Sequence, residues 1–262
     1  YATSRAWMFP HYEKMLDTNV ALLRLYALAY TLTNNNEYRD IAQGVATYIH
    51  TTLFGAAFYA SQTADEEYYE LSASKRAQQA KPAVDATIFA NLNGLAVFSF
   101  LEASRLLNDI TMKDMALQAL SVVSKQLLTD KGYLHYSDGM PLLTDQARML
   151  RALLAAWHAT EEKKYLDHAR SVAAILTTRF LEKIAFVDVP ADDRGTLSVL
   201  TPFHDNALAA RSLLAYDAAT GGDHKELVTT VLSSFSGTYK RYGYLAADYA
   251  MAVHSLLSRS MK

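Results

Sequence analysis

The chain has 262 residues, of which 51% are hydrophobic and 20% are charged, and this composition excludes disorder as a description of the whole chain. The formal net charge of -2 argues against nucleic acid as a partner, because phosphate binding needs a concentrated basic surface. No apolar run is long enough to span a membrane, and the lack of cysteine excludes disulfides, thiolate zinc sites and thiol redox chemistry within this chain. We therefore expect a soluble protein, most simply a cytoplasmic one.

Apolar segments alternate with amphipathic ones along the chain. From Val20, apolar residues recur at Leu23, Ala27 and Tyr30, the spacing of one helix face, and NNNEYRDIAQGVATYIHTTLF follows with a charged face. Three further pairs are VDATIFANLNGLAVFSFLEASRLL with ITMKDMALQALSVVSKQLL, LTDQARMLRALLAAWHAT with KKYLDHARSVAAILTTRFL, and FHDNALAARSLLAYDAAT with HKELVTTVLSSFSGTYKRY. With the last apolar piece, LAADYAMAVHSLL, the sequence predicts four helical hairpins and a ninth helix in one domain.

Aspartates mark the predicted starts of the apolar helices. Asp85, Asp145 and Asp205 are each 60 residues apart, and Asp17 and Asp248 occupy similar places. Stacked hairpins with this repeat favour an all-α fold, an α/α toroid with the apolar helices inside, and a solenoid is the alternative. In a toroid the aspartates would surround one mouth, beside the long loops at 55–85, 129–142 and 183–202, which we expect to form a site. Helix capping is the alternative role for each aspartate.

Several motifs resemble those of one known family. WMFPHYEKMLDTN is similar to the W-x-x-P-H-F-E-K-M-L-Y-D-N stretch of the spermatogenesis-associated protein 20 / YyaL-like family, and FYASQTADEEYYEL and KPAVDATIFANLNGL resemble two further motifs. Thr63 and Leu92 depart from the family pattern. The resemblance implies a six-hairpin glycosidase-like toroid over residues 1–262, truncated at its N-terminus. It also implies that the family's thioredoxin-like domain is missing from this chain.

The resemblance implies a fold more firmly than a reaction. Toroids of this class act on sugars, so the first hypothesis is a carbohydrate-active enzyme, a sugar isomerase or epimerase or a glycoside hydrolase, that uses acid and base residues. The second hypothesis is a non-catalytic module that binds a ligand or peptide together with the thioredoxin-like domain. A helical scaffold without a pocket is the third. We expect no cofactor and no metal, because the sequence has no zinc-binding or phosphate-loop motif.

The family motifs and the predicted helix starts supply the candidate residues. The catalytic candidates are His11, Glu13, Asp65 and His204, and the substrate-binding candidates are Trp7, Tyr12, Lys14, Asp17, Asp85, Asn93 and Asp205. Histidine exchanges protons near neutral pH, lysine can stabilise developing negative charge, and aromatic rings can stack on a sugar. Within the apolar run, we expect Gly94 to serve close helix packing and the side chain of Asn93 to face the cavity. Solvated helix ends and loops are the alternative for all of these residues.

Overall fold

The computed structural model describes residues 4–6, 8 and 10–260. The helices of this part are, in chain order, α1 (Leu16–Thr33), α2 (Asn36–Thr52), α3 (Glu66–Glu70), α4 (Ala73–Arg76), α5 (Ala90–Leu107), α6 (Ile110–Leu127), α7 (Leu143–Thr160), α8 (Lys163–Ile175), α9 (Ala191–Arg194), α10 (Phe203–Thr220), α11 (Lys225–Ser234) and α12 (Ala247–Ser260). A π-helical turn at Leu176–Phe180 extends α8, and a 3₁₀ segment at Tyr239–Ala246 leads into α12.

The strands of the described chain are two residues long, so the prediction of an all-α protein is confirmed. They are β1 (Lys14–Met15), β2 (Ser61–Gln62), β3 (Val84–Asp85), β4 (Leu128–Thr129), β5 (Gly132–Tyr133), β6 (Leu181–Glu182) and β7 (Ala185–Phe186). The first three form an antiparallel sheet in the order β1-β2-β3, and β4-β5 and β6-β7 are hairpins. From β2 onward, these strands lie in the connections between an outer helix and the next buried helix.

Five helices form an inner row, and each of the first four has an outer partner. Along the row, α1 packs against α5, α5 against α7, α7 against α10 and α10 against α12. The outer helices α2, α6, α8 and α11 pack against α1, α5, α7 and α10 respectively. This arrangement is the predicted series of four hairpins and a ninth helix.

The turn from each inner helix to its outer partner is short and left-handed. The residues that end α1, α5, α7 and α10 have positive φ angles, and they are Asn34 (56°), Asn108 (55°), Glu161 (59°) and Gly221 (73°). In each case the backbone N–H of this residue donates to a carbonyl in the last turn of its helix. Short connections of this kind make the two helices of a hairpin antiparallel.

The inner helices are buried on more sides than their partners, as the sequence predicts. In α5 the buried residues lie all around the helix, whereas α2 buries only Ala42, Ala46 and Ile49. The exception is α1, the first helix of the row, which leaves four leucines exposed: Leu22, Leu25, Leu28 and Leu32. Among the described helices α1 packs chiefly against α2 and α5, so one of its sides has no inner neighbour.

The expected 60-residue register of aspartates is partly wrong. Asp145 and Asp205 are both the third residue of their helices, but Asp85 lies in β3, five residues before α5 begins. Asp17 and Asp248 do share a position, because each is the second residue of its helix. The loop that precedes α5 contains a strand where the sequence predicts the helix start, and this strand shifts Asp85 out of register.

Candidate functional site

The five inner helices carry similar residue types at the same positions along one face. When the residues of each inner helix are counted from its first helical residue, the second, fifth, sixth and ninth positions share one face, since 3.6 residues make a turn. The second positions are Asp17, Asn91, Thr144, His204 and Asp248. The ninth positions are Arg24, Phe98, Arg151, Arg211 and Ser255. Polar groups therefore mark one end of this face and arginines its middle.

A pocket of about 150 Å³ lies on this shared face. Its lining residues come from all five inner helices and occupy only the second, fifth, sixth and ninth positions: Arg24, Gly94, Leu95, Phe98, Arg148, Arg151, His204, Leu208, Arg211 and Asp248. Because the first and last helices of the row line one pocket, the row curves around it. We call this pocket the concave pocket. None of its lining residues in the described chain comes from the three long loops, contrary to the sequence prediction.

His204 enters the concave pocket beside a carboxylate. Its Nδ1 lies 3.7 Å from Oδ2 of Asp248, and the other carboxylate oxygen of Asp248 accepts a hydrogen bond from the Arg211 guanidinium. The His204 side chain is half exposed, so it can meet a ligand. Helix α10 presents His204 at its second residue and Arg211 two turns later, and α12 supplies the carboxylate that joins them.

Two other guanidinium groups of the concave pocket lie against the ring of Phe98. Arg24 donates to Glu102 at 2.8 Å and lies 5.0 Å from the centre of the Phe98 ring, and the Arg151 guanidinium lies 4.6 Å from the same centre. Burial and the charges of Arg211 and Arg24 lower the pKa of Arg151 to about 10. Burial also lowers the pKa of Arg148. With a pKa of about 10, the Arg151 guanidinium stays charged at neutral pH.

Gly94 brings Arg148 into the concave pocket. A Cβ atom at Gly94 would lie 2.8 Å from the carbonyl carbon of Arg148 and 3.0 Å from its Cβ, so α5 and α7 approach each other without room for a side chain. The prediction that Gly94 serves close helix packing is confirmed.

Two further predicted residues lie around the concave pocket without lining it. Asp205 is half-buried, and burial raises the pKa of its carboxyl group while the charges of His204 and Arg148 oppose that rise. Asp17 accepts from the backbone N–H of Thr18 at 2.6 Å, and its charge also acts on Arg148. Asp17 is not the cap of α1, because the capping position is Met15.

Asn93 belongs to a repeated structural contact, and the expectation that it faces the cavity is wrong. Its side chain is fully buried, accepts from the N–H of Phe58 at 2.9 Å and donates to the carbonyl of Phe58 at 3.0 Å. Gln146 and Asn206, also fourth residues of their helices, make the same two bonds to Tyr133 and Phe186. We call this contact the amide clamp. It ties each buried helix to the connection that precedes it.

The first predicted motif forms a separate polar cluster at the start of α1. His11 Nε2 lies 3.3 Å from Glu13 Oε2, and Lys14 donates to the carbonyl of Tyr12 at 3.0 Å and to the hydroxyl of Tyr69. The rings of Tyr12 and Tyr69 stack with centres 4.7 Å apart. These residues do not line the concave pocket. In the described structure His11 therefore belongs to the polar cluster at the start of α1, and His204 belongs to the concave pocket.

Three other candidates have local roles or lie outside the described residues. Asp65 caps α3 by accepting from the N–H of Tyr68 at 2.8 Å. Asp85 is exposed and accepts from the N–H and hydroxyl of Thr87, and these bonds lower its pKa. Trp7 is the candidate that lies outside the described residues.

A larger cavity of about 640 Å³ lies at the other end of α5 and α7. Its polar groups hold helix ends together. Asp109 accepts from the N–H of Thr111 at 2.9 Å, Ser104 donates to the carbonyl of Asp109 at 2.6 Å, and Lys113 donates to the carbonyl of Ala159 at 2.7 Å. Several polar groups of this cavity are therefore committed to helix ends.

The arginines of the concave pocket and Asp248 are missing from the sequence-based set of candidates. The signal that could have found three of the four arginines is an arginine near the middle of an apolar helix, in the stretches LLRLY, MLRALL and AARSLL. A charge inside a run that is otherwise apolar needs a partner or a ligand. Among the described residues, no group of three His, Cys, Asp or Glu side chains is placed to hold a metal ion. No helix of that part is long and apolar enough to cross a membrane.

A curved row of buried helices with outer partners and a polar concave pocket defines an α/α toroid of the six-hairpin glycosidase-like class. No family model matches the chain. Over 67 residues, 25% of the chain, it is homologous to spermatogenesis-associated protein 20, with 36% identity to the mouse and human proteins. The resemblance seen in the motifs is thereby confirmed for that part. The matched segment spans 8% of the length of those relatives.

Solved structures with the same fold include enzymes that are named for sugars. The cellobiose 2-epimerase of Spirochaeta thermophila DSM 6192 superposes with a TM-score of 0.73 at 13% identity, over 88% of this chain and 61% of that one. The glycoside hydrolase family 76 α-mannanase of Bacteroides thetaiotaomicron gives 0.70 at 16% identity, over 95% and 70% of the two chains. A D-mannose isomerase gives 0.65 at 14% identity, over 84% and 59%. At these identities the likeness shows the fold alone.

Proposed function

We propose that the concave pocket binds a monosaccharide and that His204 transfers a proton in an aldose–ketose isomerisation. The observation that carries the proposal is the pairing of His204 with Asp248 on a concave face supplied by all five inner helices. The volume of about 150 Å³ is below the roughly 300–1,000 Å³ of drug-sized ligand pockets, which suits a single sugar ring. Leu95, Phe98 and Leu208 give the apolar surface that a sugar ring can cover.

The proposed chemistry needs one base and a group that stabilises an enediolate. The His204 imidazole removes the proton from C2 of the open-chain aldose, and the C–H electron pair forms a double bond to C1 while O1 takes the negative charge. The same imidazole returns the proton to C1, and O2 loses its proton as O1 gains one, which gives the ketose. Asp248 holds the imidazolium form on the Nδ1 side, so Nε2 serves the substrate. The Arg211 guanidinium, which binds the same carboxylate, supplies a fixed positive charge for the enediolate.

The lining favours isomerisation over the other reactions of the first hypothesis. Epimerisation delivers a proton to the opposite face of the carbon and needs a second carrier, whereas isomerisation can use one base on one face. Hydrolysis of a glycoside needs two carboxyl groups, roughly 5–9.5 Å apart. The lining of the described pocket contains one histidine and one carboxylate, and Asp248 is already bound to Arg211.

The test is exchange of the C2 proton of D-mannose and other aldoses with solvent deuterium, followed by NMR. We expect the chain to incorporate deuterium and form ketose, and His204→Gln to reduce the rate at least about a hundredfold, as expected for loss of a general base. His168→Gln, on an exposed position of α8, is the matched control and should have no effect. Equal rates for His204→Gln and the native chain would refute the role of His204.

The remaining predictions from the first motif stay predictions. A catalytic role for His11, Glu13 or Asp65 would require the polar cluster at the start of α1 to reach the ligand, and replacing His11 by Gln in the same assay measures this. The alternative of a binding module that works with a thioredoxin-like domain also stays a prediction.

A further inference from the structure

The side chains that line the concave pocket carry more positive than negative charge. Four arginines line it, and two of them have direct ionic partners: Arg24 donates to Glu102, and Arg211 to Asp248. Arg148 and Arg151 have no carboxylate within salt-bridge distance among the described residues. The chain as a whole has a net charge of -2, so this local excess is a property of the concave face and not of the overall composition.

Arg151 is held where other guanidinium groups repel it, whereas the charges that act on Arg148 are those of carboxylates beyond salt-bridge distance. The pKa of Arg151 falls to about 10 because of burial first and then because of the charges of Arg211 and Arg24. Such an arrangement lowers stability, since burying a charge without a partner is costly. The neighbouring helices show that apolar residues fit this face, because Leu95 and Leu208 occupy the sixth position that Arg148 occupies in α7. The positive charge is therefore best explained by a ligand.

Two of the guanidinium groups are held against one aromatic ring, and the main chain that carries a third is held by close helix packing. Arg24 and Arg151 both lie against the ring of Phe98, at 5.0 and 4.6 Å from its centre. Gly94 lets α5 approach the main chain of Arg148, which fixes the distance between the two helices. A guanidinium presents planar pairs of N–H donors that match the oxygens of a carboxylate or a phosphate.

From these contacts we infer that Arg148 and Arg151 bind an anionic group, a carboxylate or a phosphate, carried by the sugar that the concave pocket accepts. This inference rests on the proposed function for the sugar and adds the charge of the substrate. A uronate would supply the carboxylate, and a sugar phosphate would supply the phosphate. The pocket volume of about 150 Å³ is enough for one small anionic group and the ring that carries it.

The experiment is titration calorimetry of the full chain at low ionic strength and pH 7. The probes are D-glucuronate, D-glucose 6-phosphate, D-glucose and inorganic phosphate. We expect one of the two anionic sugars to bind at least about tenfold more tightly than D-glucose, because each guanidinium adds charge-assisted hydrogen bonds. The preferred probe tells whether the group is a carboxylate or a phosphate. Added salt should weaken this binding, since exposed charges are screened.

Variants separate a ligand site from a structural role. Arg151→Met should weaken the preferred anionic sugar at least about tenfold and raise the melting temperature of the unliganded chain, because a repelled charge is removed. Arg151→Lys keeps the charge but loses the planar pair of donors, so its affinity for the anionic sugar should fall between those of the native chain and Arg151→Met. Arg170→Met, at an exposed position of α8, is the matched control and should leave affinity unchanged. An Arg151→Met chain that melts earlier and binds equally well would overturn the inference.

Failure of this inference can be told from failure of the proposed function. Isomerisation of D-mannose with no preference for either anionic sugar would overturn the anionic group and leave the isomerase proposal standing. Inorganic phosphate that binds as tightly as D-glucose 6-phosphate, with no deuterium exchange from any sugar, would overturn both, because the sugar would then contribute nothing.

Discussion

Gly94 lies where α5 comes closest to α7, and a methyl group there would meet the main chain of Arg148 at 2.8 Å. Main chain cannot move aside as the end of a side chain can, so we expect Gly94→Ala to cost about 1–3 kcal/mol of stability through overpacking. The same change should displace Arg148 and weaken ligand binding in the concave pocket. Thermal or urea denaturation and the calorimetric titration measure the two effects.

Gly44 is the matched control for this substitution. It lies within α2 and is exposed, and a methyl group added to its Cα would have nothing within 4 Å. We expect Gly44→Ala to stabilise the chain by about 0.5–1 kcal/mol, because alanine loses less backbone freedom than glycine on folding. A stabilising effect at both glycines would show that α5 and α7 are not in the close contact described.

Asp205 and Asp85 should respond to pH in opposite directions. Burial raises the pKa of Asp205, so this carboxyl favours folding below the unfolded pKa of about 3.9 and loses that contribution as the pH rises through the folded value. The bonds from Thr87 lower the pKa of Asp85, so its contribution is present above about pH 3.9 and is lost as the pH falls through the folded value.

Thermal denaturation of two asparagine variants between about pH 3 and pH 8 tests these signs. We expect Asp205→Asn to raise the melting temperature at pH 7 and to match the native chain at the acid end. Asp85→Asn should lower the melting temperature at pH 7, and its difference from the native chain should disappear at the acid end. The same sign for both variants at pH 7 would contradict the contrast between a half-buried and an exposed carboxyl group.

The roles of individual residues were the least predictable part of the molecule. Asp85 and Asp205 look alike in the sequence, because each precedes an apolar run by the same pattern, but β3 separates Asp85 from its helix. His204 could be predicted as a site residue because it begins an apolar helix. Asn93 could be recognised as unusual in an apolar helix, but its partner Phe58 lies in a distant connection that periodicity does not locate.

The amide clamps make the contact between a buried helix and the preceding connection specific. Replacing Asn93 by Leu, which has the same branched side-chain shape, would leave the buried N–H and carbonyl of Phe58 without partners. We expect this to cost about 1–3 kcal/mol for each unsatisfied group. Asn206→Leu should behave in the same way toward Phe186. Chemical denaturation monitored by circular dichroism measures both.

Asn19 provides a control at the same helix position. It is the fourth residue of α1. Its side-chain amide donates to the carbonyl of Met15, the residue just before α1, at 2.7 Å. Among the described residues, no outer helix and connection precede α1 for this amide to hold, so Asn19→Leu should cost much less than Asn93→Leu. Similar losses for the two variants would mean that the bonds to Phe58 contribute little.

Helix periodicity predicted the elements well and the pocket poorly. The apolar runs give the inner row, because a helix that is apolar on most sides must be buried. The pocket depends on the starting residue of each helix, which sets Arg24, Arg151 and Arg211 at the same position. An error of one residue in a predicted start rotates a side chain by about 100°, and this is why the arginines could not be assigned to one face from sequence.

The repeat of hairpins favoured a curved row but left a solenoid open, and the resemblance strengthened the prediction of a toroid. Alternating buried and amphipathic helices are compatible with a solenoid as well as a toroid, and the two differ in the angle between successive hairpins. That angle follows from packing details such as the contact at Gly94. In the structure, Arg24 of α1 and Asp248 of α12 line one pocket, which distinguishes the curved row from an extended one.

The amide clamps also determine how the chain opens in solution. Each clamp holds a main-chain N–H of one repeat with a side chain of the next, so that proton can exchange with solvent only when two repeats separate. The amides concerned are those of Phe58, Tyr133 and Phe186. We expect hydrogen–deuterium exchange at these positions to approach the rate of global unfolding, although they lie in long connections that would otherwise fray. The clamps would then make neighbouring hairpins open as one cooperative unit.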